Sequence, residues 1–269
     1  MKRSGIITLL TDFGITDPYV AMMKGVILSI NPDARIVDIS HHISAGSILQ
    51  ASSFIHETFS FFPDGTVHVV VVDPGVGSNR RLIGLDAGGH LFVGPDNGTF
   101  WPLVEDYKEA KIIHLTENRY FLPHITQTFH GREVFAPVAA YLSSGEDLER
   151  MGRTIKDPER LSAPIPHKMD NILYGQVIRV DNFGNLITNI RNEDLERFLK
   201  KSKPIIYIGN LELKKIENIY SDTEKGEPLA LINSSDLLEI AINLGRASEY
   251  IGICSDEIMG TAVKVGRYE

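Results

Sequence analysis

One cysteine and one tryptophan stand among 269 residues, basic side chains are outnumbered 27 to 35 by acidic ones, and no apolar run approaches a membrane span. Each shortage narrows what the chain can be. With Cys254 alone, no disulfide can close within the chain and no cysteine-rich metal site can be built. A formal net charge of -8 leaves nothing to neutralise a phosphate backbone, which disfavours nucleic acid as a partner and tolerates a cationic small molecule. The apolar stretch after Met1-Lys2-Arg3 stops at Asp12, too short for a signal-peptide core, and with the cysteine usage this predicts a cytoplasmic protein. Three motifs are also missing: a G-x-G-x-x-G after the first strand, a P-loop and a nucleophile elbow. Their absence argues against a standard dinucleotide site, a nucleotide triphosphatase and a serine hydrolase. Asp12-Phe13-Gly14 matches the kinase magnesium motif in letters only, because neither a glycine-rich loop nor a catalytic loop precedes it.

What is present has the composition of a soluble globular protein, 43% hydrophobic and 23% charged, with length enough for two domains. The chain is organised around residues 67–81. A run of valines too dense for a surface strand ends abruptly at Asp73, and Pro74, Gly75 and Gly77 then turn the chain toward Arg80. This reads as a strand buried on both faces with a carboxylate at its tip, where ligands of open α/β sheets bind. The plainer reading, an Asp that caps a turn and an Arg that only pairs with it, stands beside it.

Residues 6–10 read as a first strand ending at Asp12, so two acids at the tips of two early strands predict one shared crevice. Asp17-Pro18 is a helix start, with Val20, Met23, Val26, Ile27 and Ile30 as the apolar face. Residues 35–39 form a second strand and residues 44–61 a second helix, the opening of a parallel sheet. Residues 82–85 and 91–93 read as a hairpin, and 112–115 as a further strand. His130 opens another helix, in which Pro137 is awkward unless it falls in the first turn. The proline-rich, aperiodic segment 154–169 marks the boundary between an α/β domain over residues 1–160 and a β-rich domain, a small barrel or sandwich, over 161–269. The second domain's strands are expected at 175–180, 186–190, 204–213, 228–232, 238–242 and 262–265.

Asp12, Asp17, Asp73, Arg80, Asp96, His130 and Asp181 all fall in turns or at element ends, where some serve only as caps. Asp38 with His41 and His42 offers metal-ligating side chains, but adjacent histidines point to opposite sides of an extended chain, so no metal is expected.

Assembled in order, these residues resemble a known family, the S-adenosyl-L-methionine (SAM) hydrolases or hydroxide adenosyltransferases, relatives of fluorinating and chlorinating enzymes. The likeness spans nearly the whole chain. It rests on Thr11-Asp12-Phe13-Gly14 with Asp17 to Tyr19, Asp38-Ile39-Ser40-His41, Val72-Asp73-Pro74-Gly75-Val76-Gly77 with Arg80, and Gly94-Pro95-Asp96-Asn97-Gly98. Phe129-His130-Gly131-Arg132, Asp181-Asn182-Phe183-Gly184-Asn185, and Asn233-Ser234-Ser235 with Leu238 to Ala241 complete it. The resemblance implies a Rossmann-like N-terminal domain with a largely parallel sheet, a C-terminal β-barrel and a homotrimer with sites between subunits. It implies Asp73, Arg80 and His130 as catalytic residues. It assigns substrate binding to Asp12, Asp17, Asp73, Asp181, Phe183, Asn185, Tyr220, Ser234, Ser235, Glu239 and Asn243. SAM is then the substrate, with no cofactor and no metal.

In the hydrolytic branch the Asp-Arg-His set goes with activating water; the halide-using relatives depart from it and carry an extra loop. All three residues are present here and the connection from Arg80 to Phe100 is short, which favours water. One departure is Asp236, where relatives often have glycine. A module that binds adenosine or SAM without turnover, and a halide adenosyltransferase, are the alternatives.

Overall fold

Val67, Val69 and Val71 pack into one hydrophobic layer and Val70 and Val72 into another, so the strand that carries Asp73 is buried on both faces. The computed structural model describes residues 2–252 and 258–268, which leaves Cys254 outside them. The chain divides into two units, Met1–Ser162 and Ala163–Glu269.

In the first unit the elements are β1 (Ile6–Thr11), α1 (Tyr19–Ile30), β2 (Arg35–Ser40), α2 (Ile48–Thr58), β3 (Val67–Val71), β4 (Leu82–Ala87) and β5 (His90–Pro95). They continue with α3 (Trp101–Asp106), β6 (Lys111–Leu115), α4 (Ala136–Ser143) and β7 (Gly152–Ile155). Seven strands lie in the order β2-β1-β3-β5-β4-β6-β7. Pairs β1–β2, β1–β3 and β3–β5 are parallel, and the β4–β5 hairpin starts an antiparallel half that runs through β6 to β7. Helices α1 and α4 cover one face and α2 and α3 the other, as their buried side chains show. Because β1 lies between β2 and β3, chain order reverses there. The sheet therefore has its switch point beside the carboxyl ends of β1 and β3, where Asp12 and Asp73 follow.

Three boundaries differ from the sequence expectation. Pro18, not Asp17, is the residue before α1, and no side chain caps it; Asp17 is exposed in the preceding loop. Helix α2 begins at Ile48 with Ser47 as its cap, because Gly46 adopts φ +72°, a conformation no helix continues through. Ahead of α4, residues Gly131–Phe135 form a π-helical turn. That turn lets Pro137 fall in the first turn of α4, where its missing N–H costs nothing.

The second unit consists of β8 (His167–Met169), β9 (Ile172–Val180), β10 (Leu186–Arg191), α5 (Asn192–Leu199), β11 (Lys203–Ile208), β12 (Leu211–Leu213), β13 (Ile216–Glu217), β14 (Pro228–Ile232), β15 (Leu237–Ile242), α6 (Ala247–Tyr250) and β16 (Ala262–Tyr268). Its path β12-β11-β16-β9-β10-β15-β14-β13 curls into a nearly closed barrel, with β12 returning beside β14. The single strand expected over 204–213 is a hairpin, turned at Gly209 with φ +53°. Asp236 sits at φ +62°, in the turn before β15, so the residue standing where relatives often carry glycine adopts the backbone that glycine favours.

Candidate active site

Three segments meet at the switch point. The tip of β1 supplies Asp12 and Phe13, the loop before α2 supplies Ala45 and Gly46, and the tip of β3 supplies Asp73, Pro74 and Val76. With Tyr19 and Thr128 to Gly131 they line a cleft of about 550 Å³, in the range of small-molecule sites. The shared crevice expected from the sequence is there.

Asp73 and His130, which line this cleft, are joined through Arg80 into one continuous hydrogen-bonded chain. Arg80 donates from Nε to Asp73 Oδ1 at 2.7 Å and from Nη2 to Asp73 Oδ2, a bidentate pair whose side chains are only 8% and 5% exposed. The same Nη2 lies 2.9 Å from His130 Nδ1. A guanidinium can only donate, so His130 Nδ1 must accept, and a neutral imidazole then carries its proton on Nε2. Burial, and then the Arg80 charge, lower the His130 pKa from its ordinary value; the Asp73 charge and a hydrogen bond to the Thr126 backbone oppose them. Geometry and electrostatics agree on a neutral ring.

Asp12 accepts the Gly46 N–H at 2.8 Å and has no ion-pair partner among the described residues. Since Asp73 and Arg80 cancel, Asp12 leaves the cleft with a net negative charge, suited to a cation or to hydroxyl donors. Phe13, Tyr19 and Phe129 form one wall, with ring centroids 5.3 to 5.8 Å apart.

Two recognised motifs support the cleft from behind. His41, 5% exposed, lies 2.9 Å from Thr11 Oγ1 and 3.1 Å from Asp38 Oδ1, while its carbonyl accepts the Gly14 N–H at 2.7 Å. It thus pins the loop that carries Asp12. His42 is exposed, and no cluster of three or more metal-ligating side chains occurs among the described residues. Asn97 donates to Val72 O at 2.9 Å, and Asp96 binds Arg81 Nε at 2.7 Å and the Glu159 N–H at 2.9 Å. The Asn97 bond fixes the strand tip just before Asp73, and Asp96 ties the loop that carries Asn97 to Arg81 and Glu159.

The remaining predicted residues form a separate set in the barrel unit. Asp181 accepts the backbone and side-chain N–H groups of Asn185 at 2.8 and 3.1 Å, so these two shape their own turn, and Phe183 at its apex is 73% exposed. Tyr220 donates to Glu239 Oε1 at 2.8 Å. Burial raises the carboxyl of Glu239 and pushes the Tyr220 phenol up to about 12, with its bond to Glu239 adding to the rise. Asn243 is tied to Thr223 O at 2.7 Å, Ser234 is exposed and Ser235 half-buried. Sequence reasoning missed Gly46, the aromatic wall and Glu133. Gly46 falls within the stretch whose pattern reads as a helix, the rings have only the composition of a core to mark them, and Glu133 lies one residue past the Phe129–Arg132 motif.

Gly77 ties the Asp73–Arg80 turn to the segment that leads to His130. Its φ is +78°, and a Cβ there would stand 2.3 Å from Gln127 O. Gly77→Ala is expected to lose about 1 to 2 kcal/mol from the left-handed backbone alone, before the clash is counted. Urea titration of both proteins checks this; equal midpoints would contradict it.

An α/β sheet with a small-molecule cleft at its switch point, followed by a β-barrel unit, defines the class. Residues 7–152 match the SAM hydroxide adenosyltransferase N-terminal domain and residues 175–259 the C-terminal domain, so the chain belongs to that family. It is 33% identical to the (R)-S-adenosyl-L-methionine hydrolase of Salinispora arenicola, over 97% of this chain and 100% of that protein. The enzyme of the same name from Methanocaldococcus jannaschii is 35% identical over 92% of each chain. A fluorinase from an Actinoplanes species is more distant, 27% identical over 88% of this chain and 91% of its own. Among solved structures, a conserved protein of Thermotoga maritima superposes with a TM-score of 0.88 at 34% identity, covering 97% of this chain and 100% of that one.

Proposed function

We propose that this chain hydrolyses SAM to adenosine and L-methionine, with water attacking the ribose C5′ in line with the departing sulfur. The observation that carries the reading is the pair Asp73 and His130, joined through Arg80, in the wall of a cleft that holds a second carboxylate without an ion-pair partner among the described residues. The relatives bearing the hydrolase name supply the reaction class.

The chemistry places modest demands on the protein. The C5′–S bond breaks with its electron pair going to sulfur, which leaves as a neutral thioether and needs no acid. The new C5′–O bond initially carries an oxonium, so strongly acidic that a weak base suffices to take its proton. Asp73 is such a base: both oxygens are engaged by Arg80 yet retain lone pairs, and the proton passes from there to solvent. The main gain comes from holding water about 3 Å from carbon on the face opposite sulfur. Asp12 receives the ribose hydroxyls and adds negative charge near the sulfonium. His130, neutral, fixes the position of Arg80 and hence of the carboxylate.

SAM is consumed as substrate in this scheme, and neither cofactor nor metal takes part. Asp17 and the barrel set, Asp181, Phe183, Asn185, Tyr220, Ser234, Ser235, Glu239 and Asn243, complete the substrate contacts. Their placement in a homotrimer with sites between subunits is part of the same proposal, supported by the family likeness and by the exposure of Phe183 and Tyr220.

Turnover in ¹⁸O-labelled water tests the reading. One labelled oxygen is expected in the 5′-hydroxyl of adenosine, with methionine unlabelled and equimolar. Binding without products would favour a sensing module, and a 5′-halo product with added chloride or fluoride would favour halide transfer.

A further inference from the structure

Glu133 is a carboxylate where none is expected, 1% exposed in the π-helical turn that follows His130. Its oxygens accept the Thr126 N–H at 2.6 Å and the Thr126 hydroxyl at 3.0 and 3.2 Å, and Arg132 supplies the compensating charge. Its backbone is engaged as well: the carbonyl accepts Leu122 N–H at 2.9 Å, and the N–H donates to Phe129 O at 3.2 Å. One residue therefore staples both ends of the segment that carries Phe129 and His130. The same segment packs through Gln127 against Gly77, so its position is also registered to the turn that holds Asp73 and Arg80.

A buried charge with this many bonds is expensive to desolvate, and ordinary helix formation does not require it. π-turns themselves collect at functional sites, since they shift side chains off the α-helical register. Thr126 stands four residues before His130 in that segment, with its N–H and hydroxyl on Glu133, while the Glu133 N–H holds Phe129 O next to the histidine. A shift of the segment so held displaces His130, and its imidazole lies 2.9 Å from Arg80.

We propose that Glu133 is a positioning residue for the hydrolysis proposed above, holding Thr126 and Phe129 and so the place of His130 against Arg80, which sets the ring's orientation and tautomer. The inference rests on that reading for its effect on rate, but not for its effect on the histidine. Two readouts separate them. In the native chain, ¹⁵N-labelled histidine should show His130 Nδ1 unprotonated and Nε2 protonated. In E133A the two nitrogens should move toward averaged shifts. There kcat should fall roughly 10- to 100-fold, the scale of a sub-ångström misplacement, with KM changed less than about twofold. E133Q keeps an acceptor for the Thr126 N–H and should recover most of the rate. T126V loses only the hydroxyl bonds and should lower kcat roughly threefold with KM unchanged.

A folded E133A with native His130 shifts and native kcat overturns the proposal, as does an effect confined to KM. If E133A fails to fold, T126V decides: native shifts and native kcat in that variant also overturn it. Absence of turnover in the native chain would remove the function, while the nitrogen shifts would still decide the role of Glu133.

Discussion

Asp73→Asn should lower kcat by about 10²- to 10⁴-fold, the range associated with loss of a positioned acid or base. The amide keeps the shape of the carboxylate but presents Arg80 with one acceptor and one repelling donor. Arg80, with a side chain 8% exposed, then becomes a buried cation without its counter-ion. Two further effects follow from that single loss. Breaking a buried pair from one side destabilises by about 3 to 5 kcal/mol, so a fall in unfolding midpoint accompanies the loss of rate. The cleft also gains a positive charge beside a cationic substrate, so KM for SAM should rise, whereas affinity for the neutral product adenosine should hardly change. Measuring product release, thermal unfolding and adenosine binding on one preparation separates the three. A folded variant with rate above a tenth of native would show that Asp73 only closes the turn.

How much of this was legible beforehand depends on what each residue answers to. The valines of β3 are buried on both faces by their own composition, so strand, tip and carboxylate could be read together. Asp12 and Asp73 could be placed in one crevice because strand order in a parallel sheet forces it. Local turn chemistry was readable too: Asp181 and Asn185 lie in a predicted turn, and they bind each other to make it. The failures have a common cause, since each depends on a partner outside the local pattern that sequence periodicity reports. Gly46 stops α2 from beginning early by its left-handed backbone, and its N–H is held by Asp12, 34 residues away. Pro137 is accommodated by a π-turn whose carboxylate is secured by Thr126, on the segment before it. Asp96 looked like a site residue and is a strut, held by Arg81 and by the backbone of Glu159. Nothing in the spacing of acidic residues distinguishes a ligand-facing carboxylate from one that supports the backbone behind it. Only the direction of the side chain does, and that is set by tertiary packing.

Acid should begin to destabilise the first unit before its carboxylates titrate, because of two histidines that take no part in the cleft. His68 in β3 and His90 in β5 lie in the sheet, fully buried among Phe59, Phe62 and Phe92. Thr8 Oγ1 is 2.7 Å from His68 Nδ1, and His68 Nε2 is 3.1 Å from His90 Nδ1. With both rings neutral each contact holds a single proton, and the chain runs either from Thr8 through His68 to His90 or in the reverse direction. A proton added to His68 finds only neutral acceptors and no ion-pair partner among the described residues, since Asp64 stands 4.0 Å from His90 Nε2 instead, so the cost is that of a buried charge. Burial, and secondarily the charge of His90, push the His68 pKa down to about 3 from 6.5, and burial lowers His90 as well. The sign follows from linkage. Between pH 6.5 and 3 the unfolded chain binds a proton at His68 that the folded chain refuses, so stability is present above 6.5 and is lost as pH falls. At about 1.4 kcal/mol per pH unit, the loss from His68 alone is about 2 kcal/mol by pH 5. Glu239, whose carboxyl is raised by burial, works in the opposite sense, so the total slope is not diagnostic. The comparison that isolates His68 is urea unfolding of native chain and His68→Leu at pH 8 and pH 5. The leucine variant starts less stable, because Thr8 and His90 lose a partner, but between the two pH values it should lose about 2 kcal/mol less than the native chain. Parallel pH dependences would mean that the buried ring accepts its proton without disturbing the sheet.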